Sequence, residues 1–291
     1  MTQATSSGQV MPAVFFGHGN PMNALEVNRY TAAWRAFGQA VPRPRVILVI
    51  SAHWYIHATA VTAMPRPRTI HDFYGFPQPL FDVEYPAPGL PELAEEVRDV
   101  VHPGRVFSDV DTWGIDHGTW SVLVHAFPDA SIPVVQLSIN ASKPFENHLE
   151  LGRKLAPLRE RGVLIVGSGN VVHNLRGMNW KLSDHGYDWA RRFDQDAKER
   201  MLTDPNEFTT LDAHPDYRDA VPTPDHFIPA LYLAGLAGTA PGDRPEVLVD
   251  GYAYGSLSMT AYTLGVACPV TTTDRGVPLP PDGTPPDESN I

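Results

Sequence analysis

Short, uninterrupted apolar runs alternate along the chain with longer segments in which apolar and polar residues recur at helical spacing. Runs of this length that are rich in Val and Ile are typical of strands buried on both faces of a sheet. The predicted strands are AVFFG at 13–17, RVILVIS at 45–51, PVVQLSI at 133–139, GVLIVGS at 162–168 and EVLVDGYA at 246–253. The predicted helices cover residues 23–40, 91–101, 119–127, 145–160, 186–202 and 227–238. The alternation predicts an α/β fold with a largely parallel or mixed central sheet flanked by helices.

The body of the chain contains no repeat and no linker, so we expect a single catalytic domain over residues 11–268. The segment 65–89 has too many prolines and aromatic residues for a helix or a central strand, and it predicts a long loop. Residues 1–10 are expected to be disordered. The tail 269–291 is dominated by Pro, Gly and Asp and is expected to be disordered or to wrap loosely on the surface.

Composition narrows the possible functions. A single cysteine, Cys268, excludes an intramolecular disulfide and a cysteine metal cluster, so any metal must be bound through nitrogen and oxygen. The net charge of -11 and the scattered basic residues argue against nucleic-acid binding. The N-terminus lacks the pattern of a signal peptide, and no apolar stretch reaches the roughly 18 residues of a membrane span. We therefore expect a soluble, cytoplasmic protein without a membrane partner.

Four histidines lie just beyond apolar or glycine-rich stretches: His18, His53, His173 and His226. In an α/β sheet, side chains at the carboxyl ends of neighbouring strands meet in one crevice, where imidazoles can bind one ion. Taken singly, each is as readily explained as a turn or core histidine. Together they predict a metal site.

Two further positions carry alternatives. His117 precedes an apolar helix, where the helix N-terminus favours a neutral imidazole suited to hydrogen bonding or acid/base work, although a capping-region histidine beside Asp116 would have the same pattern. Either Asp225 or His226 could face the site. The GSGN turn before His173 lacks the lysine of a phosphate-binding loop and the full dinucleotide fingerprint, so a phosphate site is disfavoured.

A series of motifs, in order from about residue 11 to residue 265, resembles the class III extradiol ring-cleavage dioxygenases, and within them the 4,5-DOPA extradiol dioxygenase type. The motifs are GHGNPMNAL, ISAHWY, HDFYGFP, YPAPG, DHGTWSVL, QLSI, GSGNVVHNLR, DHFIPALYLAG and YGSLSMTAYTLG. The resemblance implies a single-domain α/β enzyme that uses non-haem Fe(II) and O2 to cleave a catechol beside its diol, which for DOPA is 4,5-cleavage to a semialdehyde.

The resemblance also implies roles for the histidines. His18, His53 and His226 match the protein ligands of the metal, and His173 matches a histidine that acts as catalytic acid/base or as a further ligand. His117 matches a histidine that contacts the substrate or bound oxygen. The aromatic loop 65–89 is the candidate lid over the ring of the substrate, through His71, Phe73, Tyr74, Phe76 and Tyr85.

One feature departs from the usual pattern of non-haem iron dioxygenases, in which a carboxylate joins two histidines. The third ligand here matches a histidine, and an all-nitrogen set also suits zinc, unless Asp225 supplies the carboxylate. Two alternatives therefore stay open: a zinc-dependent hydrolase that uses the same histidines, and a non-catalytic binding protein on the same fold.

Overall fold

The computed structural model describes residues 10–240, 243–267 and 275–277. The strands are β1 (Ala13–Gly17), β2 (Val46–Ser51), β3 (Tyr55–Ile56), β4 (Ala60–Thr62), β5 (Phe107–Asp109), β6 (Val134–Gln136), β7 (Ile139–Asn140), β8 (Val163–Gly169), β9 (Pro245–Val249), β10 (Tyr252–Ala253), β11 (Leu257–Ser258) and β12 (Ala261–Leu264). The α-helices are α1 (Arg29–Ala40), α2 (Gln78–Phe81), α3 (Pro91–Val101), α4 (His117–Ala126), α5 (Phe145–Arg159), α6 (Asp188–Thr203), α7 (Tyr217–Ala220) and α8 (Ile228–Leu236). Short 3₁₀ helices cover Pro21–Leu25, Leu175–Gly177 and Pro205–Ala213.

The main sheet has the strand order β6-β2-β8-β1-β12-β9. Strands β6, β2, β8 and β1 run parallel, whereas β12 is antiparallel to both of its neighbours, β1 and β9. The sheet is therefore mixed, and the predicted α/β class is confirmed. Because β2, β8 and β1 are adjacent and parallel, their carboxyl ends lie side by side at one edge of the sheet.

Helices cover both faces of this sheet, which explains why its central strands β1, β2 and β8 are buried at every position and mostly apolar. Side chains of a strand alternate between the two faces. Val46, Leu48 and Ile50 of β2 pack in one core cluster with residues of α3, α5 and α8, whereas Ile47 and Val49 pack in the other with residues of α1 and α4. The result is a three-layer arrangement of helices, sheet and helices.

The predicted helix over 23–40 is interrupted. A 3₁₀ turn ends at Leu25, and α1 begins only at Arg29. Asn28 starts the new helix: its side chain accepts hydrogen bonds from the N–H groups of Tyr30 and Thr31, and the Thr31 hydroxyl accepts from the Asn28 N–H. This capping box satisfies N–H groups that a helix start leaves unpaired, and it explains the break.

Two predicted strands also divide. The segment 133–139 contributes β6 to the main sheet and then β7, which pairs with β3. The segment 246–253 divides at Gly251, whose φ of +145° suits only glycine, into β9 and β10. Strand β12 was not predicted. Its short sequence AYTL lacks the Val and Ile content of the other central strands, yet it is wholly buried.

Some predictions concern residues outside the described ranges. Residues 1–9, Cys268 and most of the tail are among them. Of the tail, residues 275–277 are described: the Arg29 N–H donates to the Arg275 carbonyl over 2.7 Å, and Val277 is only 4 % exposed. None of the helices in the described part of the chain combines the length and apolar character that crossing a membrane requires.

Candidate metal centre

The sheet and helix α8 bring the predicted histidines together. His18 directly follows β1, and His53 lies two residues beyond β2. His226 precedes α8, whose start is held against the end of β8 because the Asn170 N–H donates to the His226 carbonyl over 2.9 Å. At Gly169 a Cβ atom would lie 2.2 Å from that carbonyl oxygen, so the close approach requires glycine.

Three imidazoles converge at this edge. The Nε2 atoms of His18 and His53 lie 3.4 Å apart, and one ring nitrogen from each of His18, His53 and His226 falls within 4.8 Å of the other two. The rings are removed from solvent, since His18 is 1 % and His226 3 % exposed. These are the separations expected of nitrogens that surround one metal ion.

Each of the three rings has a partner at Nδ1. His18 Nδ1 lies 2.9 Å from Ser168 Oγ, and the Ser168 hydroxyl donates its own proton to the Gly118 carbonyl over 2.5 Å. The hydroxyl can therefore only accept from His18, so Nδ1 of His18 carries the hydrogen. His226 Nδ1 lies 2.5 Å from Asp225 Oδ2, and His53 Nδ1 lies 3.3 Å from Asp72 Oδ2.

A carboxylate accepts hydrogen bonds but cannot donate one, so the nitrogens facing Asp225 and Asp72 carry hydrogens as well. All three rings then present an unprotonated Nε2 to the same space. Two such lone pairs face each other between His18 and His53, and Nε2 of His226 is buried without a hydrogen-bond partner. Buried lone pairs without donors are costly. A divalent cation would satisfy all three, so these residues fit a metal.

The lowered pKa values of His18 and His53 favour neutral imidazoles. Burial lowers the pKa of His18 well below its usual value, and the neighbouring histidines lower it further. Burial likewise lowers the pKa of His53, with His117 adding to the effect and Asp72 opposing it. Deprotonated histidine is the form that binds metals.

The two carboxylates are held in their charged form. Burial alone would raise the pKa of Asp72, but its interactions with His117 and His53, among them the hydrogen bond from the His117 backbone N–H, keep that pKa below its ordinary range. The pKa of Asp225 is lowered in the same way, because His226 and His173 outweigh its burial. Two negative charges beside the imidazoles would favour a bound cation.

His173 and His117 flank the three rings. The His173 ring stacks on that of His226, with the ring centres 3.5 Å apart and the planes 3° from parallel. The His117 ring centre lies 3.9 Å from that of His53. Among the described residues two sets could hold an ion, the three histidines above and His53 with Asp72 and His117, and His173 belongs to neither. Of the two alternatives Asp225 and His226, His226 belongs to the first set, and Asp225 contacts His226 Nδ1.

Sequence reasoning missed Asp72 and Ser168 as parts of this site. Asp72 is next to His71 in the HDF motif of the long loop, and Ser168 lies in the GSGN turn. Neither has a local pattern that distinguishes it from an ordinary loop or turn residue. In the same turn, the Asn170 amide donates to the Ser258 carbonyl over 2.7 Å and accepts from the Gly19 N–H over 3.2 Å, so it joins loops rather than holding phosphate.

The loop 65–89 packs onto the site. Most of it is irregular, as predicted, with one short helix, α2. Phe73, Phe76 and Tyr85 are buried, and the Tyr85 hydroxyl donates to the Phe127 carbonyl over 2.8 Å, whereas Tyr74 is 55 % exposed. Phe73 meets His117 edge-on, with ring centres 5.3 Å apart. The loop is thus an anchored wall of the site.

The sequence of this chain matches a family of known enzymes. The family model for the catalytic LigB subunit of aromatic ring-opening dioxygenases matches residues 17–265, and the chain therefore belongs to this family of extradiol ring-cleavage dioxygenases. The chain is 47 % identical over 260 residues to a protein of Escherichia coli K12 named 4,5-DOPA dioxygenase extradiol, covering 88 % of this chain and 95 % of the relative.

Further relatives agree. A protein of Beta vulgaris with the same name is 34 % identical over 270 residues, covering 88 % of this chain and 97 % of the relative. The crystal structure of an uncharacterized protein from Escherichia coli K12 superposes with a TM-score of 0.77 at 42 % identity, covering 87 % of this chain and 99 % of that one. The predicted class III extradiol family, including its resemblance to the 4,5-DOPA type, is thus confirmed.

Proposed function

We propose that this protein is an Fe(II)-dependent dioxygenase that cleaves a catechol with O2, and that DOPA or a related catechol is its substrate, cleaved at the 4,5 bond. The observation that carries the proposal is the convergence of three buried Nε2 lone pairs, on His18, His53 and His226, in a member of this family. Both atoms of O2 enter the ring-opened semialdehyde, so the reaction needs no external reductant. Bound Fe(II) would supply open coordination positions for the diol and for oxygen.

The residues around the metal position have separate roles in this proposal. His18, His53 and His226 hold the ion. His117, whose Nδ1 lies 2.9 Å from Asp72, turns its other nitrogen to the buried space and accepts hydrogen from a catechol hydroxyl. His173, outside both ligand sets, serves as the acid/base that returns a proton during ring opening. The buried aromatic side chains of the loop 65–89 exclude water from the site.

DOPA is proposed as substrate on the names of the Escherichia coli and Beta vulgaris relatives. An all-nitrogen set of ligands also suits zinc, so the metal must be varied in the test. A zinc-dependent hydrolase would be active with Zn²⁺ in the absence of oxygen, and a non-catalytic binding protein would turn over no catechol with any metal.

The test is oxygen uptake by protein reconstituted anaerobically with Fe(II) and given L-DOPA and a panel of simpler catechols, beside a Zn²⁺-loaded sample. We expect iron-dependent uptake with a yellow ring-opened product. His173→Ala should lower kcat by about 100-fold or more, because an acid/base group typically contributes that much, while the metal content stays at one ion per chain.

The matched control is His57→Ala. His57 is an exposed histidine whose Nδ1 lies 3.0 Å from Ser142 Oγ, and its replacement should leave uptake unchanged. Absence of uptake with every diol, in protein that holds one Fe(II) per chain, would exclude the proposed reaction.

A further inference from the structure

One carboxylate of the loop 65–89 contacts two imidazoles of the site at once. Asp72 Oδ2 lies 3.3 Å from His53 Nδ1, and Oδ1 lies 2.9 Å from His117 Nδ1. The same Oδ1 accepts a hydrogen bond from the His117 backbone N–H over 3.0 Å. The Asp72 side chain is only 16 % exposed, and the rings of His53 and His117 are 2 % and 0 % exposed. The carboxylate therefore lies within the site.

These contacts determine which ring nitrogens carry hydrogen. Because a carboxylate only accepts, a lone pair on either Nδ1 would face a negative oxygen at close range, and both Nδ1 atoms must be protonated. The His117 ring N–H is not aligned well enough with Oδ1 for a full hydrogen bond. Such contacts often tighten only when substrate binds. Nε2 is left unprotonated on both rings.

Asp116 is the other described acid next to His117, and its oxygens are already engaged elsewhere. Asp116, the neighbour of His117, is fully buried, but its oxygens accept from the Ser51 hydroxyl over 2.8 Å and from the Gln136 amide over 2.6 Å. It also caps α4 by accepting from the Thr119 N–H over 3.0 Å. Asp116 therefore fixes the start of α4, and Asp72 is left to orient the imidazoles.

We propose that Asp72 is a positioning residue that fixes His53 and His117 together in the Nδ1–H tautomer, so that metal binding by His53 and hydrogen-bond acceptance by His117 depend on one carboxylate from the loop 65–89. The inference rests on the proposed function, in which His53 holds the metal and His117 contacts the catechol. It assigns to the loop a part in the chemistry of the site in addition to the exclusion of water.

The variant Asp72→Asn separates the two contacts. The His117 backbone N–H can only donate, so it selects the amide oxygen of the asparagine. The amide NH2 group then faces His53 Nδ1, which must accept, and the hydrogen of His53 moves to Nε2, where it blocks the metal. Asp72→Ala removes the contacts with both His53 and His117, so neither ring is held in the Nδ1–H tautomer.

The first measurement is the affinity of the full chain for Zn²⁺, by competition with a chromogenic chelator, together with thermal unfolding of the metal-free proteins. We expect Asp72→Asn to weaken Zn²⁺ binding by about 10-fold to 100-fold, the range typical of residues that orient metal-binding histidines. The metal-free variant should unfold near the wild-type temperature.

Asp82→Asn is the matched control, because it makes the same change of charge at an exposed position of the same loop, where the Asp82 carboxylate accepts a hydrogen bond from the Gln78 amide over 2.8 Å. It should bind Zn²⁺ like the wild type. Equal Zn²⁺ affinity in Asp72→Asn would overturn the inference, and so would loss of the metal-free fold, which would make Asp72 a structural residue. A wild-type chain that binds no metal would instead overturn the proposed function itself.

The part of the inference that concerns His117 has its own readout. At saturating Fe(II), Asp72→Asn keeps the oxygen toward His117, so its kcat should recover toward the wild-type value, whereas that of Asp72→Ala should stay at least about tenfold lower. Equal kcat values for the two variants under these conditions would show that Asp72 does not act on His117.

Discussion

The Ser168 hydroxyl illustrates how much of this centre depends on small buried groups. It lies at the end of β8 and joins the ring of His18 to the Gly118 carbonyl at the start of α4. A hydroxyl that must donate to a carbonyl can only accept from the imidazole, and this fixes the His18 tautomer more firmly than a freely rotating hydroxyl would. One side chain thus fixes the tautomer of His18 and connects β8 to α4.

Ser168→Ala should therefore weaken Zn²⁺ binding by about tenfold or more, because His18 Nδ1 loses the acceptor that keeps its hydrogen there. Chelator competition measures the change. The control is Ser138→Ala: Ser138 is equally buried, and its hydroxyl donates to the Ala58 carbonyl over 2.9 Å rather than contacting a histidine. Both variants should lose some stability, and only Ser168→Ala should lose affinity. Similar Zn²⁺ affinities for the two variants would contradict the role assigned to Ser168.

At the scale of residues, the sequence predicted the histidines that the structure brings together better than the side chains that contact their Nδ1 atoms. His18 and His53 are recognisable because each follows an apolar run, and parallel strands place such positions together. Asp72 lies in the loop 65–89, 19 positions after His53. The two side chains meet because of the path of this irregular loop, which no local sequence pattern predicts. Ser168 and His18 are 150 positions apart.

At the scale of elements, the close approach of α4 to the loop after β2 shapes the site. A Cβ atom at Gly118, in the first turn of α4, would lie 2.5 Å from Cδ2 of His53 and 2.7 Å from Ser51 Oγ. The helix can start this near to the ring of His53 only because residue 118 has no side chain.

Gly118→Ala should lower Zn²⁺ affinity by about tenfold or more, since the added methyl group displaces the His53 ring. Alanine favours a helix over glycine by about 1 kcal/mol, and this preference alone would stabilise α4. The preference does not remove the clash of the new methyl group, which would lie 2.5 Å from the His53 ring. Thr119→Ala, the next position of the same helix, tests specificity, because its buried hydroxyl makes no hydrogen bond and its removal should leave affinity intact. Undiminished Zn²⁺ binding by Gly118→Ala would show that α4 can move away without cost.

The elements themselves were predictable to different degrees. Uninterrupted apolar runs predicted strands β1, β2 and β8, and helical spacing of apolar residues predicted helices α3 and α5. The observed bounds of these five elements differ little from the predicted ones. The break before α1 depends on the Asn28 cap. Helical periodicity over residues 23–40 does not reveal this cap, because the apolar spacing continues through it. Strand β12 is buried through pairing with β1 and β9, and that pairing is decided by tertiary contacts rather than by its own composition.

At the scale of the whole molecule, buried histidines make the free energy of unfolding depend on pH. His148, in the interface of α5 and α8, has its pKa lowered by burial to about 4. The pKa values of His18 and His53 are lowered by burial as well. In the unfolded chain all three histidines titrate near pH 6.5. Between these values the unfolded state binds more protons than the folded state, so stability must fall as the pH falls.

We expect the metal-free protein to lose stability as the pH is lowered from about 6.5 to about 4, with a contribution of about 1.4 kcal/mol per pH unit from His148. Urea denaturation across this range measures the slope. His148→Gln, which removes one titrating group whose ring contacts Tyr232, should reduce the slope by that amount. The low pKa values of Asp72 and Asp225 act in a lower window, because their contribution is lost only as the pH falls below about 4. A slope unchanged in His148→Gln would contradict a neutral, buried His148.

The anchoring of Asp72 in the loop 65–89 has a consequence for redesign. Exchanging such a loop between homologous enzymes is an obvious way to alter which ring compounds they accept, because the loop carries aromatic side chains. In this protein a transplanted segment would also have to return a carboxylate to the position of Asp72 beside His53 and His117. Chimeras that lack this carboxylate should bind metal more weakly, whatever ring compound the new loop favours. Loop exchanges should therefore be screened first for retention of the metal.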